Sequence, residues 1–117
     1  MTTTTQAAPD RSDLIGLTAR NDGDRAGWDA RIYRRADGPL GIRLHQWSRA
    51  LDSLSGEVAV TPLLPADLTA IEAAEAEARA CGDEPRQAAT AALADIIAAI
   101  QQGARTWRVI CRPAVVR

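Results

Sequence analysis

Two runs in which apolar and polar residues alternate, Trp28 to Ala36 and Leu40 to Ser48, meet at Asp37-Gly38-Pro39. A period of two marks β-strands with one buried face, because successive side chains point to opposite sides of the pleat. Gly38 tolerates the positive φ of a tight connection, so the two runs are expected to form a β-hairpin. Pro39 has no N–H for the ladder and fits the first position of the second strand or a longer loop. The alternation then sorts the side chains. Trp28, Ala30 and Ile32 with Leu40, Ile42 and Leu44 form the core face, and a register slip of one residue would turn all six into water. Asp29, Arg31, Tyr33 and Arg35 with Arg43, His45, Trp47 and Arg49 form the opposite one.

The rest of the chain supplies partners for this hairpin. Leu14 to Thr18 reads as a short strand weakened by Gly16, and the following Arg-Asn-Asp-Gly-Asp-Arg-Ala-Gly reads as a loop. Leu51 to Gly56 reads as a connector and Glu57 to Leu64 as a third strand closed by Pro62. The period then changes. Pro65 suits a first helical position and Gly82 a C-terminal stop, which gives a helix over Pro65 to Cys81 with a thin stripe of Leu68, Ile71, Ala74, Ala78 and Cys81. Glu72, Glu75 and Glu77 are expected to face water, with Glu75 pairing to Arg79 one turn on. Asp83 is the expected cap of a second helix that carries Leu93, Ile96, Ile97 and Ile100 on one side and ends at Gly103. Thr106 to Arg112 reads as a final strand. Trp107, Val109 and Cys111 fall on its core side, with Arg108, Ile110 and Arg112 opposite.

These elements predict an α+β fold. It is a single domain with an antiparallel sheet of about four strands and an antiparallel helical hairpin on one face, spanning 13–117 after a polar, flexible leader over 1–12. A chain of 117 residues, 46% hydrophobic, is long enough to bury an ordinary core. It has no apolar run long enough to span a bilayer, and the expectation is a soluble, cytoplasmic protein. All 14 basic residues are Arg and there is no Phe, a usage that points to a GC-rich bacterial or phage genome. Cys81 and Cys111 lie too far apart in sequence, with no neighbouring ligands, for a zinc site, and are expected to be reduced and half-buried. No cofactor or metal is expected.

The formal net charge is -1, but it is unevenly spread. Residues 25–49 carry six Arg against two Asp and residues 104–117 carry four Arg with no acid, whereas residues 65–103 carry two Arg against seven acids. With helices on one face, the other face presents Arg31, Tyr33, Arg35, Arg43, His45, Trp47, Arg49, Arg108 and Arg112. Guanidinium groups suit carboxylates and phosphates, and aromatic rings suit protein hot spots or bases. The leading expectation is a protein-interaction module, an accessory subunit or a small inhibitory protein of phage or mobile-element type, using this face against an acidic protein surface. Nucleic-acid binding by the same face is the alternative, less favoured because RNA-binding aromatic motifs are missing. A structural homo-oligomer that buries the sheet edge or Ile110 is a third. A plain solvated sheet face competes with all three. Catalysis is not expected: His45 is the sole imidazole, and neither a nucleophile motif nor a phosphate-binding loop accompanies it.

Overall fold

The computed structural model describes residues 11–50 and 53–111. A 3-10 turn, Ser12–Leu14, leads into β1 (Thr18–Asp22), β2 (Ala26–Arg34), β3 (Leu40–Ala50) and β4 (Ser53–Pro62). Two helices follow, α1 (Pro65–Cys81) and α2 (Pro85–Gln101), and the chain returns to the sheet in β5 (Arg108–Cys111). The strands form one antiparallel sheet in the order β1-β2-β3-β4-β5, and the helices pack on one of its faces. The α+β architecture is therefore the one the sequence implies. No helix among the described residues is long and apolar enough to cross a membrane.

Several boundaries differ from expectation. The sheet has five strands because Arg20–Asp22, assigned to a loop by composition, pairs with Gly27–Asp29. The predicted strand at Leu14 to Thr18 is instead the end of the 3-10 turn at Leu14 and a turn through Ile15 and Gly16, which tuck Leu14 and Leu17 into the core, and only Thr18 belongs to β1. The predicted connector over Leu51 to Gly56 is overrun by β4, which starts at Ser53, while Leu51 and Asp52 lie outside the described residues. At the C-terminus the strand begins at Arg108 rather than Thr106. The α2 cap is Glu84, not Asp83: its carboxylate accepts from the Arg86 N–H at 3.2 Å, which satisfies one of the open donors of the first turn. Helix α1 runs over the predicted residues, and Gly82 closes it with φ +76°, a conformation that disfavours any side chain.

The core lies between the helices and the face of the sheet built from Ala19, Trp28, Ala30, Ile32, Ile42, Leu44 and Ala59. Leu68 and Ile71 from α1 and Ala89, Leu93, Ile97 and Ile100 from α2 close it from above. Ile96, next to this line, is only half-buried and turns toward the groove between the helices. Cys81 is exposed rather than half-buried, because the α1 stripe ends at Ala78. The Cys111 side chain lies outside the described residues.

Two ion pairs tie the layers together. Glu75, expected in water beside Arg79, is 6% exposed and pairs with Arg11 at 2.9 Å. The Arg11 guanidinium is held by Asp13 at 2.8 Å and by Glu72 at 3.3 Å as well, so the segment before β1 is strapped to α1. At the other end of α1, Asp67 accepts from the Leu64 N–H at 2.8 Å and pairs with Arg105 at 2.8 Å. Arg105 also donates to the Pro62 carbonyl at 3.2 Å, joining the end of β4 to the return toward β5. Buried carboxylates are tolerated only where such partners exist.

Candidate binding face

The face of the sheet away from the helices is assembled by strand register. Arg31 lies opposite Arg43, Arg43 opposite Val60, and Val60 opposite Arg108, so a row of Thr18, Arg31, Arg43, Val60 and Arg108 crosses all five strands. The next row holds Arg20, Asp29, His45 and Val58. His45 Nδ1 lies 3.5 Å from Asp29 Oδ2, both side chains half-exposed.

The rings lie across glycines of neighbouring strands. A Cβ on Gly27 would sit 2.5 Å from Cζ2 of Trp47, so the indole of this β3 residue rests on the β2 backbone. Tyr33 leans from β2 over Gly41 in the same way, where a Cβ would come within 3.0 Å of its Cε1, and His45 stands over Gly56. Both Tyr33 and Trp47 are therefore half-buried rather than standing free of the surface. Packing a ring on a glycine supplies the cover that a missing side chain would otherwise give the sheet. A Gly27→Ala substitution should accordingly destabilise the fold by about 1–3 kcal/mol, since Asn21 O at 2.8 Å blocks the new methyl as well. Urea unfolding followed by tryptophan fluorescence checks this, and an unchanged midpoint and emission would place the Trp47 ring elsewhere.

The charges on this face are unevenly satisfied. Arg20 pairs with Asp22 at 3.3 Å and Arg35 with Asp37 at 3.2 Å. Arg35 follows the last residue of β2 and folds back over Gly41, so it borders the face instead of continuing it. Arg31, Arg43 and Arg108 are exposed, and none of their guanidinium groups forms an ion pair or hydrogen bond among the described residues. Like charges directly opposite on neighbouring strands cost roughly 0.2–1 kcal/mol, so the Arg31–Arg43 pair is a small standing penalty on the isolated fold. Arg49 is exposed at the far end of β3, opposite Leu54, with its backbone N–H donating to the Arg25 carbonyl at 2.6 Å. Arg112 and the Ile110 side chain lie outside the described residues.

Sequence reasoning missed Val58 and Val60, which share this face with the arginines. Within Val58-Ala59-Val60-Thr61 the bulkier residues point outward and Ala59 and Thr61 are the buried ones. Bulk alone would have turned the valines inward, and only the pairing with Arg43 and His45 fixes the side. The resulting surface is a basic row with a half-buried apolar strip through it, bordered by rings. No family model, curated protein or solved structure matches the chain.

Proposed function

We propose that this chain is a protein-interaction module whose open sheet face binds an acidic protein surface. The observation that carries the reading is the row of Arg31, Arg43 and Arg108, three exposed guanidinium groups with no acid of their own among the described residues. A carboxylate-bearing partner would relieve the Arg31–Arg43 repulsion and accept in bidentate geometry. The apolar strip favours protein over nucleic acid: Val58 and Val60 offer contact area that a phosphate backbone does not use, and Asp29 on the same face repels phosphate. Arginine and aromatic side chains, both enriched in protein interfaces, make up much of this surface.

The test is fluorescence anisotropy with two labelled probes, a peptide alternating Glu and Leu and an oligothymidylate of equal charge. The peptide should bind the wild type, and Arg43→Ala should weaken it by at least about tenfold, the loss expected when a charge-assisted contact worth roughly 1.5–3 kcal/mol is removed. Preference for the oligonucleotide would transfer the face to nucleic-acid binding. Binding of neither probe would leave a solvated sheet.

A further inference from the structure

The opposite side of the molecule carries the complement of the arginine row. The outer faces of α1 and α2 leave a groove of about 880 Å³. Its floor is small and apolar, with Ala74, Ala78, Ala88, Ala92 and Ile96, and its charged lining is wholly acidic: Glu77, Asp83, Glu84 and Asp95. Glu84 is occupied in capping α2, but the carboxylates of Glu77, Asp83 and Asp95 form no ion pair or hydrogen bond among the described residues. The helical layer separates the groove from the open sheet face, so the unpaired acids and the unpaired arginines of one chain cannot meet.

We propose that the groove receives the arginine row of a second copy of this chain, so that copies associate head to tail. This rests on the binding reading of the sheet face and names the acidic surface it takes. The spacings agree. Arg43 and Arg108 are two strands apart, about 10 Å, and packed helix axes are separated by about 8–10 Å. Glu77 on α1 and Asp95 on α2 line the groove from its two walls, where they would receive the two guanidinium groups, and Val60 between the arginines would meet the alanine floor. A partner with longer floor side chains would hold the sheet off. Alanine lets it approach.

Charge also selects the arrangement. Sheet against sheet sets the arginine rows face to face, and groove against groove sets acid on acid, so both two-fold pairings are repulsive. Pairing through the β1 edge is hindered by its shortness and by Arg20 and Asp22. Sheet against groove is heterologous, which leaves one free sheet and one free groove at the ends of every assembly.

Sedimentation velocity of the intact chain tests this. The weight-average mass should rise past two chains with concentration at ~50 mM salt and fall toward one chain at ~500 mM, where the Debye length is only a few ångströms. Arg43→Glu, which blocks the sheet, and the double variant Glu77→Arg/Asp95→Arg, which blocks the groove, should each be monomeric and folded, with circular dichroism like the wild type. Arg43→Glu should melt no lower than the wild type, because it replaces the Arg31–Arg43 repulsion by a cross-strand pair. Mixed, the two variants retain one working sheet and one working groove, and should associate although neither does so alone. A wild type that stays at one chain, or that stops at two, overturns head-to-tail association. If peptide binding still depends on Arg43 in that case, the binding reading survives its loss. Assembly indifferent to Arg43→Glu would remove head-to-tail association, and peptide binding equally indifferent to Arg43 would remove the binding reading as well.

Discussion

Replacing Arg11 by alanine is expected to destabilise the fold by about 3 kcal/mol, the lower end of the range for removing one partner of a buried ion pair. Arg11 lies only one residue before the 3-10 turn and is not part of any regular element. Its guanidinium nevertheless meets Glu75, 6% exposed and flanked on α1 by Ile71 and Ala78. Truncation leaves that carboxylate in the core margin without its cation, and releases Asp13 and Glu72 at the same time. The double variant Arg11→Met/Glu75→Leu should recover most of the loss, because apolar residues of similar size remove the desolvation cost on both sides. Urea midpoints of the three proteins supply the comparison. A loss below about 0.5 kcal/mol for Arg11→Ala would mean that the strap is solvated and worth no more than an exposed surface pair.

The same cluster sets an acid limb of stability. The Arg11 hydrogen bond holds the Asp13 carboxyl below its ordinary value, with nearby charge adding to the effect. A group whose folded pKa is depressed contributes fully above its unfolded value, near 4, and loses that contribution as the pH falls through the lower folded value. The wild type should therefore lose stability below about pH 4 more steeply than Arg11→Ala does.

The second large effect is expected from Ile97→Ala, at about 2–5 kcal/mol. Ile97 is fully buried in one cluster with Ile32, Ile42, Leu44, Ile71 and Leu93. Rigid strands below and α1 alongside limit collapse into the cavity, which favours the upper half of the range. The α1 stripe compensates poorly, because beyond Leu68 and Ile71 its buried apolar residue is Ala78. Ile97→Val should cost only about 0.5–1.5 kcal/mol. Ile96→Ala, half-buried on the groove side, should cost less than Ile97→Ala. Equal losses at 96 and 97 would put the core face of α2 in the wrong place.

The two alternating runs were enough to divide Trp28, Ala30, Ile32, Ile42 and Leu44 from Arg31, Tyr33, Arg43, His45 and Trp47, because a period of two leaves no freedom once one side is buried. Proline and glycine gave the ends of α1, since Pro65 and Gly82 act through local sterics alone. What depended on distant partners was not legible. Strand β1 is polar in composition and owes its existence to pairing with β2 and to Leu14, Leu17 and Ala19 beneath it. Glu75 stands four residues after Ile71 and three before Ala78, so periodicity itself sets it on the buried stripe. Its charge suggested water, and the arginine that resolves the conflict lies 64 positions away.

The candidate face divides along the same line. Its β2 and β3 residues follow from alternation, whereas the row linking Arg31 and Arg43 to Val60 and Arg108 needs the registers of β4 and β5. Arg35 keeps the odd-numbered position of the face but lies past the end of β2, where Asp37 takes its charge. The rings of Trp47 and Tyr33 serve the fold first, lying over Gly27 and Gly41, and a partner would meet surfaces already fixed in place. That preorganisation lowers the ordering cost of binding.

The three tryptophans separate the two faces of the sheet, with Trp28 buried under the helices, Trp107 half-buried against the same core and Trp47 on the open side. The most direct measurement of the open face as a recognition surface is therefore the indole N–H region of a nitrogen-15 correlation spectrum during titration with the Glu/Leu peptide. The Trp47 signal should move progressively, together with the backbone amides of Arg31 and Arg43, while the Trp28 signal stays in place. Unmoved Trp47 and Arg43 signals, or shifts confined to α1 and α2, would contradict the assignment of binding to this face.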